Sequence, residues 1–168
     1  TLDYTRDKVG KYMTDLTAKL DTSKLEESYQ AVKATHIADH GGLFNRVAVN
    51  LNCNDVDFDL TTDELVSGYR ANSNNSTYLE ALLFQYGRYL LIASSRPGTM
   101  PAHLQGACNT YDVPPWSCGY WHNINVQMNY WPAFSTNLAE TFEAYASYND
   151  AYMKQAKIYA DAIVKEHH

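Results

Sequence analysis

Three features of the sequence predict a mainly α chain. Apolar residues recur three and four apart through long stretches, and Ser23 with Glu26 and Thr61 with Glu64 form capping-box pairs ahead of two of them. Strand-type alternation is confined to Val47, Val49 and Leu51. With 168 residues and 45% apolar content, the chain is long enough for one folded core.

Taken in order, Val9, Tyr12, Met13, Leu16 and Leu20 mark an amphipathic helix over residues 5–20. Ser23 opens a second helix whose stripe runs through Leu25, Tyr29, Val32, His36, Leu43 and Val47, with Gly41 and Gly42 as its weak point. A short strand is expected over 47–51, followed by an acidic polar loop over 52–62. Thr61 starts a short helix ending near Arg70, and residues 72–76 read as a linker. From Thr77 to Ser94 the pattern is apolar nearly all round, which suits a helix buried on several sides, as in a double-layered helical barrel. Pro97 ends it.

Residues 96–121 lack a helical period but carry Pro97, Gly98, Pro101, Gly106, Asn109, Asp112, Pro114, Pro115 and Gly119, so a long loop is expected. Loops of that length are functional or disordered, and Trp116, Tyr120 and Trp121 argue against disorder. Helices over 126–132, 138–148 and 150–166 complete the chain, the second capped by Asn137 with Glu140 at its N3 position. The pattern divides the chain into a helical linker region with a short extended segment, 1–75, and a helical region, 76–168, with a long loop at 96–122.

Composition excludes several functions. Thirteen Lys and Arg against nineteen Asp and Glu give a net charge of −6, with no basic concentration of the kind that tracks phosphates, so nucleic acid is not an expected partner. The most apolar run, Ala81 to Ala93, is broken by Gln85, Gly87 and Arg88 and is too short to span a bilayer. Three cysteines, at 53, 108 and 118, form no disulfide framework and no paired zinc motif, and a Cys108–Cys118 pairing stays open. The chain opens on Thr1 without a charged-then-apolar leader, so an export signal is expected to have been removed or to lie outside this stretch.

The chemistry concentrates between Trp116 and Trp131, where Asn123, Asn125, Gln127 and Asn129 place a carboxamide at every second position. If 123–125 is extended, Asn123 and Asn125 point the same way. Carboxamides both donate and accept, as sugar hydroxyls do, and Trp116, Tyr120, Trp121 and Trp131 offer flat apolar faces to a pyranose. Amides also cap helices and aromatics also fill cores, and composition leaves both readings open. An amide does not titrate near neutrality, so neither Asn can serve as an ordinary general base without a carboxylate. No convincing carboxylate pair stands out; Glu140 and Glu143 are the nearest candidates, read as a cap and a solvated residue.

Two metal patterns are weak. His36 and His40 share a helix face around Asp39, resembling a zinc arrangement with the base one methylene short, and a buried, hydrogen-bonded His36 is the preferred reading. Asp55, Asp57 and Asp59 have calcium-loop spacing, but Leu60 and Val66 occupy the positions that need Gly and Glu.

Five stretches, in order, resemble glycoside hydrolase family 95: 36–46, 83–98, Leu104-Gln105-Gly106, Pro114-Pro115-Trp116 and 123–132, the last being the most specific. The resemblance implies an (α/α)6 barrel, of which 76–168 would be the first helices. It also implies inverting exo-hydrolysis of α-L-fucosides, mostly α-1,2-linked, or of α-L-galactosides, on a fucosylated glycan, without metal or other cofactor and in an extracellular or cell-surface setting. Asn123 and Asn125 take the place of the two family Asn that help activate water. Trp121, His122, Trp116 and Asn109 are the candidate substrate-binding residues. The family's general-acid Glu and its partner Asp lie beyond this stretch, so the chain alone is expected to be inactive.

Two departures stand out. Trp121 occupies the position where the family carries the His or Thr tied to sugar preference, with His122 one place later, and Ala107-Cys108-Asn109 replaces an aromatic-containing segment. A barrel of roughly twelve helices does not close in so short a chain. The rest of it is expected from the same or another chain, or the exposed apolar faces self-associate. The alternatives are a non-catalytic carbohydrate-binding or scaffold fragment, and a metal-dependent hydrolase using His36 and His40.

Overall fold

A computed structural model describes residues 6–18, 22–53, 55–69, 74–106 and 109–167. The chain is mainly helical. Seven α-helices follow one another among the described residues: α1 (Arg6–Ala18), α2 (Leu25–Phe44), α3 (Thr62–Gly68), α4 (Asn74–Ser94), α5 (Asn125–Asn129), α6 (Pro132–Ser135) and α7 (Phe142–His167). Short 3₁₀ turns occur at Thr22–Lys24 and Ala139–Thr141, and Pro115–Cys118 makes a tight turn in which Trp116, Ser117 and Cys118 adopt positive φ. Packing divides the chain into two units, Thr1–Gly41 and Gly42–His168.

In the first unit, α1 begins close to its expected start, and Leu20 lies outside the described residues. His36 is exposed and stacks on His40 with ring centroids 6.1 Å apart, so the expected burial of His36 is corrected. Gly41 and Gly42 do not end α2, which runs on to Phe44.

In the second unit, the expected strand at 47–51 is absent; no strand occurs among the described residues. The reason is visible at Val47, whose carbonyl accepts from Gln85 Nε2 at 3.0 Å and from the Arg88 guanidinium at 3.1 Å. A backbone group held by helix side chains has no partner strand to build a ladder with.

Helix α3 starts where its capping box dictates. The Thr61 hydroxyl accepts from the Glu64 N–H at 3.3 Å, and Glu64 Oε2 accepts from the Thr61 N–H at 2.8 Å. Both bonds to Thr61 hold the Glu64 carboxyl below its ordinary range. Tyr69 then ties α3 to α4, donating to Glu80 at 2.6 Å while its carbonyl accepts from Ser76 at 2.7 Å. Helix α4 therefore begins at Asn74, inside the expected linker. The acidic loop folds on itself: Asp57 accepts from the Asp59 N–H, and Asn75 accepts from the Asp57 N–H, each at 3.0 Å.

The core gathers Leu43, Leu91, Ile92, Val126, Tyr130, Ala133 and Leu138, with Phe44, Tyr120, Phe142 and Tyr145 against it. It therefore sits where the end of α2, the second half of α4, α5, α6 and the start of α7 meet. Arg88, only 2% exposed, closes the end of α2 by donating to the carbonyls of Leu43, Phe44 and Val47, and it also donates to Thr136. Burial pulls its pKa down, as does the nearby Arg46.

The last helices differ from the expectation. Asn137 is not a cap; Leu138 takes that position, and Asn137 adopts φ 57, a left-handed conformation that Asn tolerates. Residues 142–167 form one helix rather than two, and the Asn149 amide donates to the Tyr145 carbonyl at 2.8 Å within it.

Candidate functional site

The segment from Trp116 to Trp131 folds as two halves with different tasks. In the second half Val126 is fully buried and Tyr130 nearly so. The Tyr130 hydroxyl lies 2.7 Å from Ser95 Oγ and accepts from the Ala102 N–H at 2.8 Å, and Asn129 Nδ2 donates to the Ala102 carbonyl at 3.2 Å. These contacts pin the long loop to α5. Burial raises the Tyr130 pKa, so the hydroxyl stays neutral and able to donate and accept.

The first half carries the two catalytic candidates. Asn123 and Asn125 are exposed, and neither carboxamide makes a hydrogen bond to a described residue. The backbone between them is not extended, which corrects the expectation. Ile124 adopts φ 70 and ψ −48, and the Asn125 N–H donates to the Asn123 carbonyl at 3.0 Å, a γ-turn of the rarer positive-φ kind. The chain must turn here because α5 begins at Asn125. A β-branched residue at positive φ is strained, so the turn depends on its surroundings to hold it.

Just before the turn, Trp116 and Trp121 meet edge to face, 5.9 Å between centroids and 90° between planes. Trp121 Nε1 donates to the Trp116 carbonyl at 3.3 Å. Both rings stay open to solvent, at 68% and 49% exposure, so their apolar faces are free to meet a ring. Gly119 makes the arrangement possible, since a Cβ there would stand 2.4 Å from Trp121 Nε1.

The other two candidates make contacts within the protein, Asn109 half-buried and His122 still exposed. Asn109 donates to the Gly106 carbonyl at 3.3 Å and to Cys118 Sγ at 3.6 Å, and its Oδ1 accepts from the Tyr111 N–H at 3.2 Å. His122 lies parallel to Tyr148 and Tyr152 of α7, at 5.6 Å and 5.5 Å. Cys108 lies outside the described residues, whereas Cys118 is a half-buried free thiol.

Glu140, expected as a cap, instead makes an ion pair with Arg46 at 2.6 Å. Its own backbone N–H, then Arg46, lower its pKa below the ordinary glutamate range. That is the wrong direction for a group that must donate a proton near neutrality. Among the described residues no three His, Cys, Asp or Glu side chains gather as metal ligands, and no helix is long and apolar enough to cross a membrane.

A cleft of about 620 Å³ runs along α4, walled by Leu83, Phe84, Gly87, Leu90 and the loop residues His103 to Gly106. Asn129 reaches it, whereas Asn123, Asn125, Trp116, Trp121, His122 and Asn109 do not. Its apolar wall suits another helix better than a sugar.

The model of the glycosyl hydrolase family 95 catalytic domain matches residues 28–167. The chain belongs to glycosyl hydrolase family 95. It is 42% identical over 127 residues to "Probable alpha-fucosidase A" of Aspergillus niger, covering 76% of this chain and 16% of that protein. It is 37% identical over 155 residues to "Alpha-L-fucosidase 2" of Arabidopsis thaliana, covering 84% of this chain and 18% of that one. A "Probable alpha-fucosidase A" of Aspergillus oryzae is 35% identical over 140 residues, covering 83% and 19%. The chain thus spans less than a fifth of the length of these curated relatives.

Within this family 95 chain, sequence reading missed Tyr148, Tyr152 and the Arg46–Glu140 pair. The two tyrosines stand four apart on one face of α7, a spacing that signals a shared partner. Nothing in the sequence pointed from Arg46 to Glu140, ninety-four residues away.

Proposed function

We propose that this chain supplies the water-positioning amides, Asn123 and Asn125, of an inverting exo-α-L-fucosidase acting on α-1,2-linked fucose of glycans outside the cell or at its surface. The observation that carries the reading is the contrast within one motif. Val126, Asn129 and Tyr130 are locked into the core and the loop, while the carboxamides of Asn123 and Asn125 stay exposed and uncommitted. The relatives named as fucosidases support the substrate class.

The division of labour follows from the chemistry. A carboxamide accepts from a water proton and donates to a sugar oxygen, so two of them can orient a nucleophilic water. They cannot remove its proton, so inversion requires a carboxylate base and, on the other side of the sugar, a carboxylic acid. Glu140 is committed to Arg46, and both carboxylates are supplied from elsewhere in the complete polypeptide.

Helices α4 to α7 are then among the first helices of an (α/α)6 barrel. Leu83 and Leu90 of α4, 67% and 45% exposed, fit a helix that further helices cover, in the same chain, another chain or a second copy.

The test is α-L-fucoside hydrolysis by the complete polypeptide, with the anomer of the released sugar followed by proton NMR. Release of the inverted anomer from an α-1,2-linked substrate is expected. Retention, or binding of fucosides without turnover, would replace this reading with a different mechanism or with a carbohydrate-binding role.

A further inference from the structure

The turn that carries the two amides is strained and lies at the end of a long loop, so something must hold it in place. Strain at Ile124 does not identify the support. The rings around His122 do.

His122 immediately precedes Asn123. Its imidazole is parallel to Tyr152 within 3° and to Tyr148 within 10°, with centroids 5.5 Å and 5.6 Å away. Those tyrosines are themselves nearly parallel, at 8° and 6.1 Å. They stand one turn apart on α7, a continuous helix of 26 residues. The contact continues past Tyr148, which meets Tyr120 at 4.6 Å, and Tyr120 meets His103 edge on at 6.1 Å. Both flanks of the segment before Asn123, Tyr120 and His122, therefore pack against the same tyrosine of α7.

We propose that His122 is a positioning residue: stacked on Tyr148 and Tyr152, it fixes the backbone from which Asn123 projects, and it acts through that backbone rather than by touching sugar. This rests on the reading of Asn123 and Asn125 as water-positioning groups. A displacement of about 1 Å in a catalytic group costs on the order of a hundredfold in rate, so a modest loosening is enough to be seen in kcat.

Stacking needs a flat ring, not an imidazole, and this separates the two roles. In the complete polypeptide, His122→Phe is expected to keep kcat within threefold of the parent, and His122→Ala to lose at least tenfold in kcat with KM changed less than threefold. Tyr152→Ala is expected to reproduce part of the His122→Ala loss. Loss of activity in His122→Phe equal to that in His122→Ala, carried by KM and with Tyr152→Ala unaffected, would overturn the proposal in favour of a direct sugar contact.

A second readout does not require hydrolysis. Amide hydrogen exchange over 120–126 should quicken in His122→Ala and stay near the parent rate in His122→Phe. If the parent polypeptide fails to hydrolyse fucosides but the exchange pattern holds, the functional reading fails and the positioning role stands. If neither substitution changes exchange, the positioning role itself is refuted.

Discussion

The Arg88 guanidinium lies over the Phe44 ring, 5.3 Å from its centroid, and donates to the Phe44 carbonyl at 2.7 Å. One side chain of α4 thereby both covers and caps the end of α2, whose last carbonyls have no partner within the helix. Replacing Arg88 by Leu leaves the carbonyls of Leu43, Phe44, Val47 and Thr136 without this donor. A loss of about 3 kcal/mol or more is expected. Arg88→Lys should recover less than half of it, because an ammonium lacks the planar fork that reaches several carbonyls at once. Urea denaturation measures both, and an Arg88→Lys protein as stable as the parent would contradict this account.

The Arg46–Glu140 pair predicts a pH dependence with a definite sign. The folded-state pKa of Glu140 is lowered, so its contribution is present above the unfolded glutamate value and is lost as pH falls through the folded one. Each side chain is 36% exposed, which limits the pair to ~0.2–1 kcal/mol. Between neutral pH and about 5 the parent should be slightly more stable than Glu140→Gln, with the gap closing below about pH 4. Parallel denaturation curves across that range check it, and a gap that widens on acidification would contradict the assignment.

Gly119 predicts a defect confined to the aromatic wall. A Cβ at that position would meet Trp121 Nε1 at 2.4 Å and Cδ1 at 2.8 Å, so Gly119→Ala must displace the indole. Overpacking of this kind costs about 1–3 kcal/mol, and at an exposed wall much of it can be relieved by the ring swinging away. Tryptophan fluorescence should shift, and KM for an α-L-fucoside in the complete polypeptide should rise several-fold while the denaturation midpoint changes little.

The helices were legible because their signals are local. Thr61 with Glu64 announced α3, and the apolar pattern ending at Pro97 placed the end of α4 within a few residues. The strand at 47–51 was misread because alternation says nothing about whether a partner exists, and the Val47 carbonyl is taken by Gln85 and Arg88. The break expected at 149 does not occur: α7 runs through it, with Asn149 bonding back to Tyr145 inside the helix.

The candidate site was legible as composition but not as geometry. Alternating amides marked Asn123 and Asn125, yet the positive φ of Ile124 that separates them has no sequence signature, since neither Gly nor Asn occupies the turn. The partners of His122 lie on a helix more than twenty residues later, and only the fold brings Tyr148 and Tyr152 to it.

The most direct measurement is the single-turnover rate of α-L-fucoside cleavage in the complete polypeptide carrying Asn123→Ala or Asn125→Ala, with circular dichroism and melting temperature as controls on folding. Each substitution is expected to slow cleavage by at least a hundredfold, about 2.7 kcal/mol of transition-state stabilisation, while leaving the fold intact. Rates within a factor of two of the parent, in properly folded variants, would contradict the assignment of these amides to the attacking water.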